Sequence, residues 1–85
     1  MSFLAQLIYT VILMSSFQYS DKYTSDDDKY EYRLVTIPRN REKITRVMTE
    51  AEWKVLGVQQ SPGWENYAIY PPDNVMLFRR IKPVK

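Results

Sequence analysis

The stretch Tyr30-Glu31-Tyr32-Arg33-Leu34-Val35-Thr36-Ile37, followed by Pro38, carries the clearest strand signal of the sequence. It is rich in aromatic and β-branched residues, which are enriched in strands, and a proline cannot continue a paired strand. Turn-forming residues at positions 24–28 precede it, so residues 17–23 are predicted to form the opposing strand of a hairpin. The acidic run Asp26-Asp27-Asp28 then lies in the exposed tip of that turn.

A helix start follows at Thr49, because Thr49 and Glu52 have the spacing of a capping box, in which each side chain binds the other residue's backbone N–H. Gly57 is placed to end this helix, since glycine adopts the left-handed conformation of a helix C-terminus without strain. A preceding helical turn is predicted over residues 41–47, with its inward side formed by Ile44, Val47 and Met48.

The C-terminal third predicts a second pair of strands, over residues 64–70 and 75–81, joined by Pro71-Pro72-Asp73-Asn74. The order strand, strand, helix, helix, strand, strand contains no long crossover between parallel strands. We therefore predict an α+β domain with a four-stranded antiparallel sheet and two short helices on one side.

Residues 1–17 differ from the rest, because they contain no charged side chain. The apolar run over residues 3–14 is shorter than the roughly 20 residues that span a bilayer. Three interpretations remain open: a targeting or anchoring segment, an additional packed or frayed N-terminal element, and an upstream extension of the reading frame, with Met14 as a second start. The predicted organisation is an apolar extension over residues 1–17 and a single domain over residues 18–85.

Length and composition limit the function. Eighty-five residues form at most one domain, and a net charge of +2 is too weak for the electrostatic affinity of a duplex nucleic-acid binder. The absence of cysteine and histidine removes thiolate metal sites, the commonest metal ligand and the commonest general base. Zinc-dependent folding and histidine-based triad catalysis are excluded, and we expect neither a cofactor nor a nucleic-acid partner.

Five blocks of the sequence, in this order, resemble the Cks family of cyclin-dependent kinase regulatory subunits. They are Gln18-Tyr19-Ser20-Asp21-Lys22-Tyr23, Tyr30-Glu31-Tyr32-Arg33, Glu52-Trp53, Leu56-Gly57-Val58-Gln59-Gln60-Ser61-x-Gly63-Trp64 and Leu77-Phe78-Arg79-Arg80. The resemblance covers residues 18–82. It implies a non-catalytic adaptor that docks on a cyclin-dependent kinase and binds phosphothreonine-proline sites of already phosphorylated proteins. Such an adaptor promotes multisite phosphorylation in cell-cycle control.

The resemblance also implies a phosphate-binding pocket, because each of the family's pocket positions is matched here. Two arginines offer bidentate bonds to phosphate, a lysine offers a point charge, and a hydroxyl and an indole N–H offer neutral contacts. The implied pocket residues are Lys22, Arg33, Ser61, Trp64 and Arg80, with Gln60 as a further contributor from the same loop.

Kinase docking is expected on the exposed face of the sheet and at the entry to the hinge before the last strand. The candidates are Tyr23, Tyr67, Ala68, Ile69 and Tyr70. The chain departs from the family at this hinge, where His-x-Pro-x-Pro-His is replaced by the shorter Tyr70-Pro71-Pro72-Asp73-Asn74-Val75. Family members exchange the last strand between two chains, so a strand-exchanged homodimer is a further expected partner state.

Nuclear and cytoplasmic localisation is expected for such an adaptor. Membrane or secretory localisation would follow only if residues 1–17 were a targeting segment. The competing function is a membrane-associated derivative of the same fold that uses this apolar segment as an anchor. An enzyme is not expected, because the sequence has no histidine, no cysteine and no glycine-rich phosphate loop.

Overall fold

A computed structural model of the chain describes residues 16–83. All its strand pairs are antiparallel, and they form one sheet. Its elements are β1 (Gln18–Tyr19), β2 (Tyr23–Thr24), β3 (Tyr30–Thr36), α1 (Glu50–Leu56), β4 (Glu65–Tyr70), a 3₁₀ turn (Pro71–Asp73) and β5 (Val75–Ile81).

The sheet has four strand positions, because β1 and β2 share one edge of β3. Tyr19 of β1 pairs with Val35, and Tyr23 of β2 pairs with Tyr32, further toward the start of β3. The other edge of β3 pairs with β5, which in turn pairs with β4. The predicted α+β class and antiparallel sheet are confirmed. The last strand pairs with β3 and β4 of its own chain.

Side chains of β3 and β5 alternate between two faces of the sheet, as the strand period of two requires. Val35, Met76 and Phe78 are buried and lie on the face that carries the core, here called the core face. Their neighbours in sequence lie on the opposite face, here called the open face.

Helix α1 covers the core face. Trp53, which is fully buried, packs edge-on against Phe78 with ring centroids 5.6 Å apart. The predicted capping box is confirmed, because the Thr49 side chain accepts from the Glu52 N–H and the Glu52 carboxylate accepts from the Thr49 N–H. Arg46 and the backbone of Thr49 lower the pKa of Glu52 to about 2. The helix ends at Gly57, as predicted, at a positive φ of 121°.

The segment before α1 differs from the prediction, because residues 42–49 contain no helical turn. Two buried asparagine side chains bind its backbone instead. Asn74 accepts from the N–H of Ile44 at 2.8 Å, and Asn66 accepts from the N–H of Met48 at 2.7 Å. A short turn closes only at its beginning, where two successive N–H groups donate to the carbonyl of Pro38. The helical turn predicted over residues 41–47 was therefore wrong.

The apolar N-terminal segment lies outside the described residues, except for Ser16 and Phe17. Phe17 is partly buried and packs against the core, close to Gly57. Over residues 16–83, no helix has the length and apolar character needed to cross a bilayer.

Candidate functional site

The core face of the sheet changes from apolar to charged toward one end. Along β3, Val35 is followed on this face by Arg33 and then Glu31, and along β5, Phe78 is followed by Arg80. Glu31 pairs directly with Arg80 across the two strands. Strand alternation thus places two arginines and one carboxylate next to each other, at the edge of the hydrophobic core.

Trp64 brings the two arginines together. It directly precedes β4, and only 3% of its surface is exposed. The guanidinium carbon of Arg80 lies 4.6 Å from the centre of the Trp64 ring, and that of Arg33 lies 5.4 Å from it. The negative face of an indole ring attracts cations, so the ring stabilises two like charges close to each other. Arg33 also lies over the Tyr19 ring, at 5.8 Å.

Arg80 binds two oxygens. Its Nε donates to Glu31 Oε2 at 2.6 Å, and one of its terminal nitrogens donates to Ser61 Oγ at 3.0 Å. The hydrogen bond from Arg80 lowers the pKa of Glu31, and the charges of Arg80, Lys22 and Lys82 lower it further. Lys22, which is exposed in the link between β1 and β2, is therefore close enough to act on this site electrostatically. Arg80 already binds anionic and hydroxyl oxygens.

Some polar atoms of this region are buried without a hydrogen-bond partner in the described part of the chain. They are Arg33 Nε and both polar atoms of the Gln60 side-chain amide. Buried polar groups are nearly always paired, because an unpaired one costs about 1–3 kcal/mol. Within residues 16–83, these donors and this acceptor therefore lack internal partners.

We refer to Lys22, Arg33, Gln60, Ser61, Trp64 and Arg80 as the basic site. The structure brings four of them together: Arg33 and Arg80 both lie over the Trp64 ring, and Arg80 also donates to Ser61. The sequence reasoning missed Glu31 and Tyr19. Glu31 lies two residues before Arg33, so strand alternation was the available signal for it. Tyr19 had no comparable signal: its hydroxyl accepts from the N–H of Gln59, and this anchors the loop that carries Ser61.

The docking candidates lie mainly on the open face. Tyr23 stacks on Tyr32 with centroids 5.6 Å apart, Tyr32 meets Tyr67 edge-on at 5.9 Å, and Arg79 lies 5.0 Å from the Tyr67 ring centre. Burial is the main cause that raises the pKa of Tyr67. Tyr70 is 52% exposed at the end of β4.

The backbone of β4 is irregular between Asn66 and Ala68, and this places Tyr67 beside Tyr32. Ala68 pairs with Leu77 on the open face, whereas Ile69 pairs with Met76 and packs against the core. Ile69 is therefore the one docking candidate whose register places it on the core face.

An open groove of about 400 Å³ lies away from the basic site, between α1 and the segment before it. Its lining includes Met48, Ala51, Val55 and Leu56 and is mainly apolar. None of the basic-site residues lines it, so this groove is not the place where the cationic groups meet.

Residues 17–82 match the cyclin-dependent kinase regulatory subunit (CKS) family. Cyclin-dependent kinases regulatory subunit 2 of Arabidopsis thaliana is 49% identical over 71 residues, which cover 79% of this chain and 83% of that protein. The cyclin-dependent kinases regulatory subunit of Drosophila melanogaster is 50% identical over 68 residues, which cover 75% and 89%. That of Caenorhabditis elegans is 47% identical over 70 residues, which cover 78% and 72%.

The matched range begins at Phe17, which packs against the core, and ends one residue after β5. The chain belongs to the cyclin-dependent kinase regulatory subunit family.

Proposed function

We propose that this protein is a non-catalytic regulatory subunit of a cyclin-dependent kinase. In this proposal it docks on the kinase and binds phosphothreonine-proline sites of already phosphorylated substrates through the basic site. Family membership and the names of its relatives support the kinase partner. The composition of the basic site supports the phosphate ligand.

The observation that carries the phosphate-binding proposal is the pairing of Arg33 and Arg80 on one buried indole ring. Two guanidinium groups held on one support offer several N–H donors to one tetrahedral anion. Within residues 16–83, Arg33 Nε has no hydrogen-bond partner, and Arg80 donates to Glu31 and Ser61. Three cations and one carboxylate at the site leave a positive charge that a phosphate dianion neutralises.

The docking proposal rests on the opposite face of the sheet. Tyr23 and Tyr70 are exposed there, and Tyr23 stacks on Tyr32, which meets Tyr67 edge-on. Exposed aromatic side chains are typical of protein–protein contacts, because they bury large apolar areas and lose few rotamers. Binding on the open face leaves the basic site uncovered, so one molecule holds a kinase and a phosphorylated substrate at once.

Simultaneous binding explains how a protein without catalytic groups promotes phosphorylation. A substrate held by one phosphorylated site presents its other sites to the kinase at an effective concentration of the order of millimolar. Later phosphorylations on the same substrate then proceed faster than the first. Removing the adaptor should slow the later phosphorylations of a multisite substrate and leave the first one unchanged.

Calorimetry with a phosphothreonine-proline peptide and the unphosphorylated peptide of the same sequence tests the phosphate-binding proposal. The phosphopeptide should bind, and the unphosphorylated peptide should bind at least tenfold more weakly. Equal affinity for both peptides would show that the basic site does not recognise phosphate.

Exchange of β5 between two chains is a further part of the proposal. The connection that must open is the 3₁₀ turn Pro71–Asp73 and Asn74, which adopts a left-handed conformation with φ 58°. Size-exclusion chromatography with light scattering would detect the dimer, and a chain that stays monomeric at all concentrations would contradict it.

A further inference from the structure

The basic site contains a serine that is followed by a proline. Ser61 and Pro62 are both exposed in the loop between Val58 and Trp64, outside any helix or strand. In the whole sequence, Ser61 is the only serine or threonine that directly precedes a proline. Kinases that select proline after the acceptor hydroxyl read this dipeptide in an exposed, extended segment, which the proline itself favours at the preceding residue.

The position of this hydroxyl is unusual, because it already contacts a cation of the basic site. Ser61 Oγ accepts from Arg80 at 3.0 Å, and Arg80 and Arg33 lie on the same Trp64 ring. A phosphoryl group on this oxygen therefore extends into a region where guanidinium donors are already in place. Phosphate opposite an arginine cluster forms charge-assisted hydrogen bonds and orders the segment that carries it.

We propose that Ser61 is phosphorylated by a proline-directed serine/threonine kinase and that the resulting phosphoserine occupies the basic site from within. The Ser61 oxygen attacks the γ-phosphorus of ATP, and the bond between this phosphorus and the β–γ bridging oxygen breaks. The hydroxyl proton passes to the catalytic base of that kinase, and ADP leaves. The modification is then an internal competitor of any phosphate ligand.

Charge neutralisation is the reason for competition. Phosphoserine carries about −1.5 to −2 charges at neutral pH, which matches the excess positive charge left at the site after the ion pair between Glu31 and Arg80. An external phosphopeptide would then meet a neutral or negative surface and would also have to displace a tethered phosphate. This competitive effect rests on the phosphate-binding function proposed above, whereas modification of Ser61 does not.

The first arm of the test is the modification itself. The full chain is incubated with ATP and a purified proline-directed kinase, and the phosphorylated residue is located by mass spectrometry. We expect one phosphate, on Ser61. The matched control Pro62→Ala keeps the hydroxyl but removes the recognition element, and it should lose the modification at least tenfold in rate. No phosphate on Ser61, or equal rates for both proteins, would overturn the proposal.

The second arm uses protein with phosphoserine introduced at position 61 during synthesis. Phosphorus NMR should give a second phosphate pKa at least 0.5 below the ordinary value of about 6, because Arg80 stabilises the dianion. The variant Arg80→Ala should return it toward that value. A phosphate pKa that is the same with and without Arg80 would show that the phosphoserine does not occupy the site.

The third arm measures competition. The phosphorylated protein should bind the phosphothreonine-proline peptide at least tenfold more weakly than the unmodified protein, and equal affinity would overturn internal competition. If the unmodified protein does not bind the peptide at all, the proposed function fails. The phosphorus NMR shift, which needs no peptide, would in that case still support a phosphoserine held by Arg80.

Discussion

Trp64 illustrates how one residue serves both core and site. Its ring is almost entirely buried, as a core residue would be, yet two guanidinium groups lie over it. Burial fixes the ring, and the fixed ring restricts Arg33 and Arg80 to a few rotamers. Restricting them before ligand binding removes part of the entropy that immobilising long side chains costs, which is about 0.5–1.5 kcal/mol per side chain. The rigidity of the core should therefore increase the proposed phosphate affinity of the basic site.

Loss of either arginine should weaken phosphopeptide binding. We expect Arg33→Ala or Arg80→Ala to cost about 1.5–3 kcal/mol of binding free energy, the range of hydrogen bonds to charged groups. The matched control is Arg79→Ala, because Arg79 neighbours Arg80 on β5 but lies on the open face, paired with Glu65. Calorimetry would compare the three variants. A loss in Arg79→Ala as large as in Arg80→Ala would point to general charge attraction.

Phosphopeptide affinity should fall between pH 7 and pH 5. The chain has no histidine, and Arg80 lowers the pKa of Glu31 from its ordinary 4.5, so this carboxylate stays ionised in that range. A carboxyl with a lowered pKa contributes fully to stability above its unfolded pKa and loses this contribution as pH falls from there through its folded pKa, so Glu31 has little effect on folding between pH 7 and pH 5. The phosphate, with a second pKa of about 6, becomes a monoanion, and affinity should fall up to about tenfold.

Fluorescence anisotropy across this pH range would measure the effect. A peptide with a difluoromethylphosphonate in place of the phosphate is the matched control, because its second pKa is lower. Its affinity should persist to lower pH. A flat profile for the phosphopeptide would mean that the dianion is not the form that the basic site selects.

At the level of elements, the sequence predicted what depends on local chemistry. The strand β5 was predicted with its observed bounds, and the capping box at Thr49 and the glycine stop at Gly57 were confirmed. The segment before α1 was predicted wrongly, because its backbone is bound by Asn66 and Asn74, which are distant in sequence. Spacing rules cannot anticipate such long-range bonds. The pairing of Arg33 with Arg80 follows from strand alternation only once β3 and β5 are known to be neighbours.

The two glycines flanking the Ser61 loop should respond differently to alanine. Both have positive φ, 121° at Gly57 and 98° at Gly63, which is unfavourable for a residue with a Cβ and costs about 1–2 kcal/mol. A Cβ on Gly57 would also lie 3.2 Å from the ring of Phe17, whereas one on Gly63 would meet nothing within 4 Å. Gly57→Ala should therefore destabilise more in urea unfolding. Equal losses would mean that Phe17 moves aside without cost.

At the level of the whole molecule, the two proposed binding surfaces lie on opposite faces of the sheet. The basic site lies on the core face, and Tyr23 and Tyr70 lie on the open face. Because residues in a strand alternate, Arg79 and Arg80 are neighbours in the chain and belong to opposite surfaces. One small domain thus carries two surfaces without a second core.

Variants on one face should leave the function of the other unchanged. Tyr23→Ala and Tyr70→Ala remove exposed rings and should weaken capture of a cyclin-dependent kinase, with phosphopeptide affinity preserved. Arg33→Ala and Arg80→Ala should show the opposite pattern. Pull-down and calorimetry on the same preparations, with folding checked by circular dichroism, would compare them. Loss of kinase capture in a folded Arg33→Ala protein would contradict the separation of the two surfaces.

The apolar segment before Phe17 should be dispensable for folding and phosphate binding. The family match starts at Phe17, and the residues of the basic site all follow Asp21. A chain that starts at Met14 retains Phe17 and β1, so it should keep its stability and its peptide affinity and should be more soluble, since an apolar stretch has been removed. Urea unfolding, calorimetry and solubility measurements would test this.

The same truncation distinguishes the other interpretations of the segment. If residues 1–13 anchor the protein, the full chain should co-sediment with lipid vesicles and the shortened chain should not.

If they pack on the domain, truncation should cost more than about 1–2 kcal/mol of unfolding free energy. The groove beside α1 would offer a surface for such packing, because Leu56 in its lining directly precedes Gly57, which lies close to the Phe17 ring. Val55→Asp, in the same groove and 84% exposed, would then destabilise the full chain more than the truncated one. Equal effects of Val55→Asp in both chains, with unchanged stability on truncation, are the result we expect.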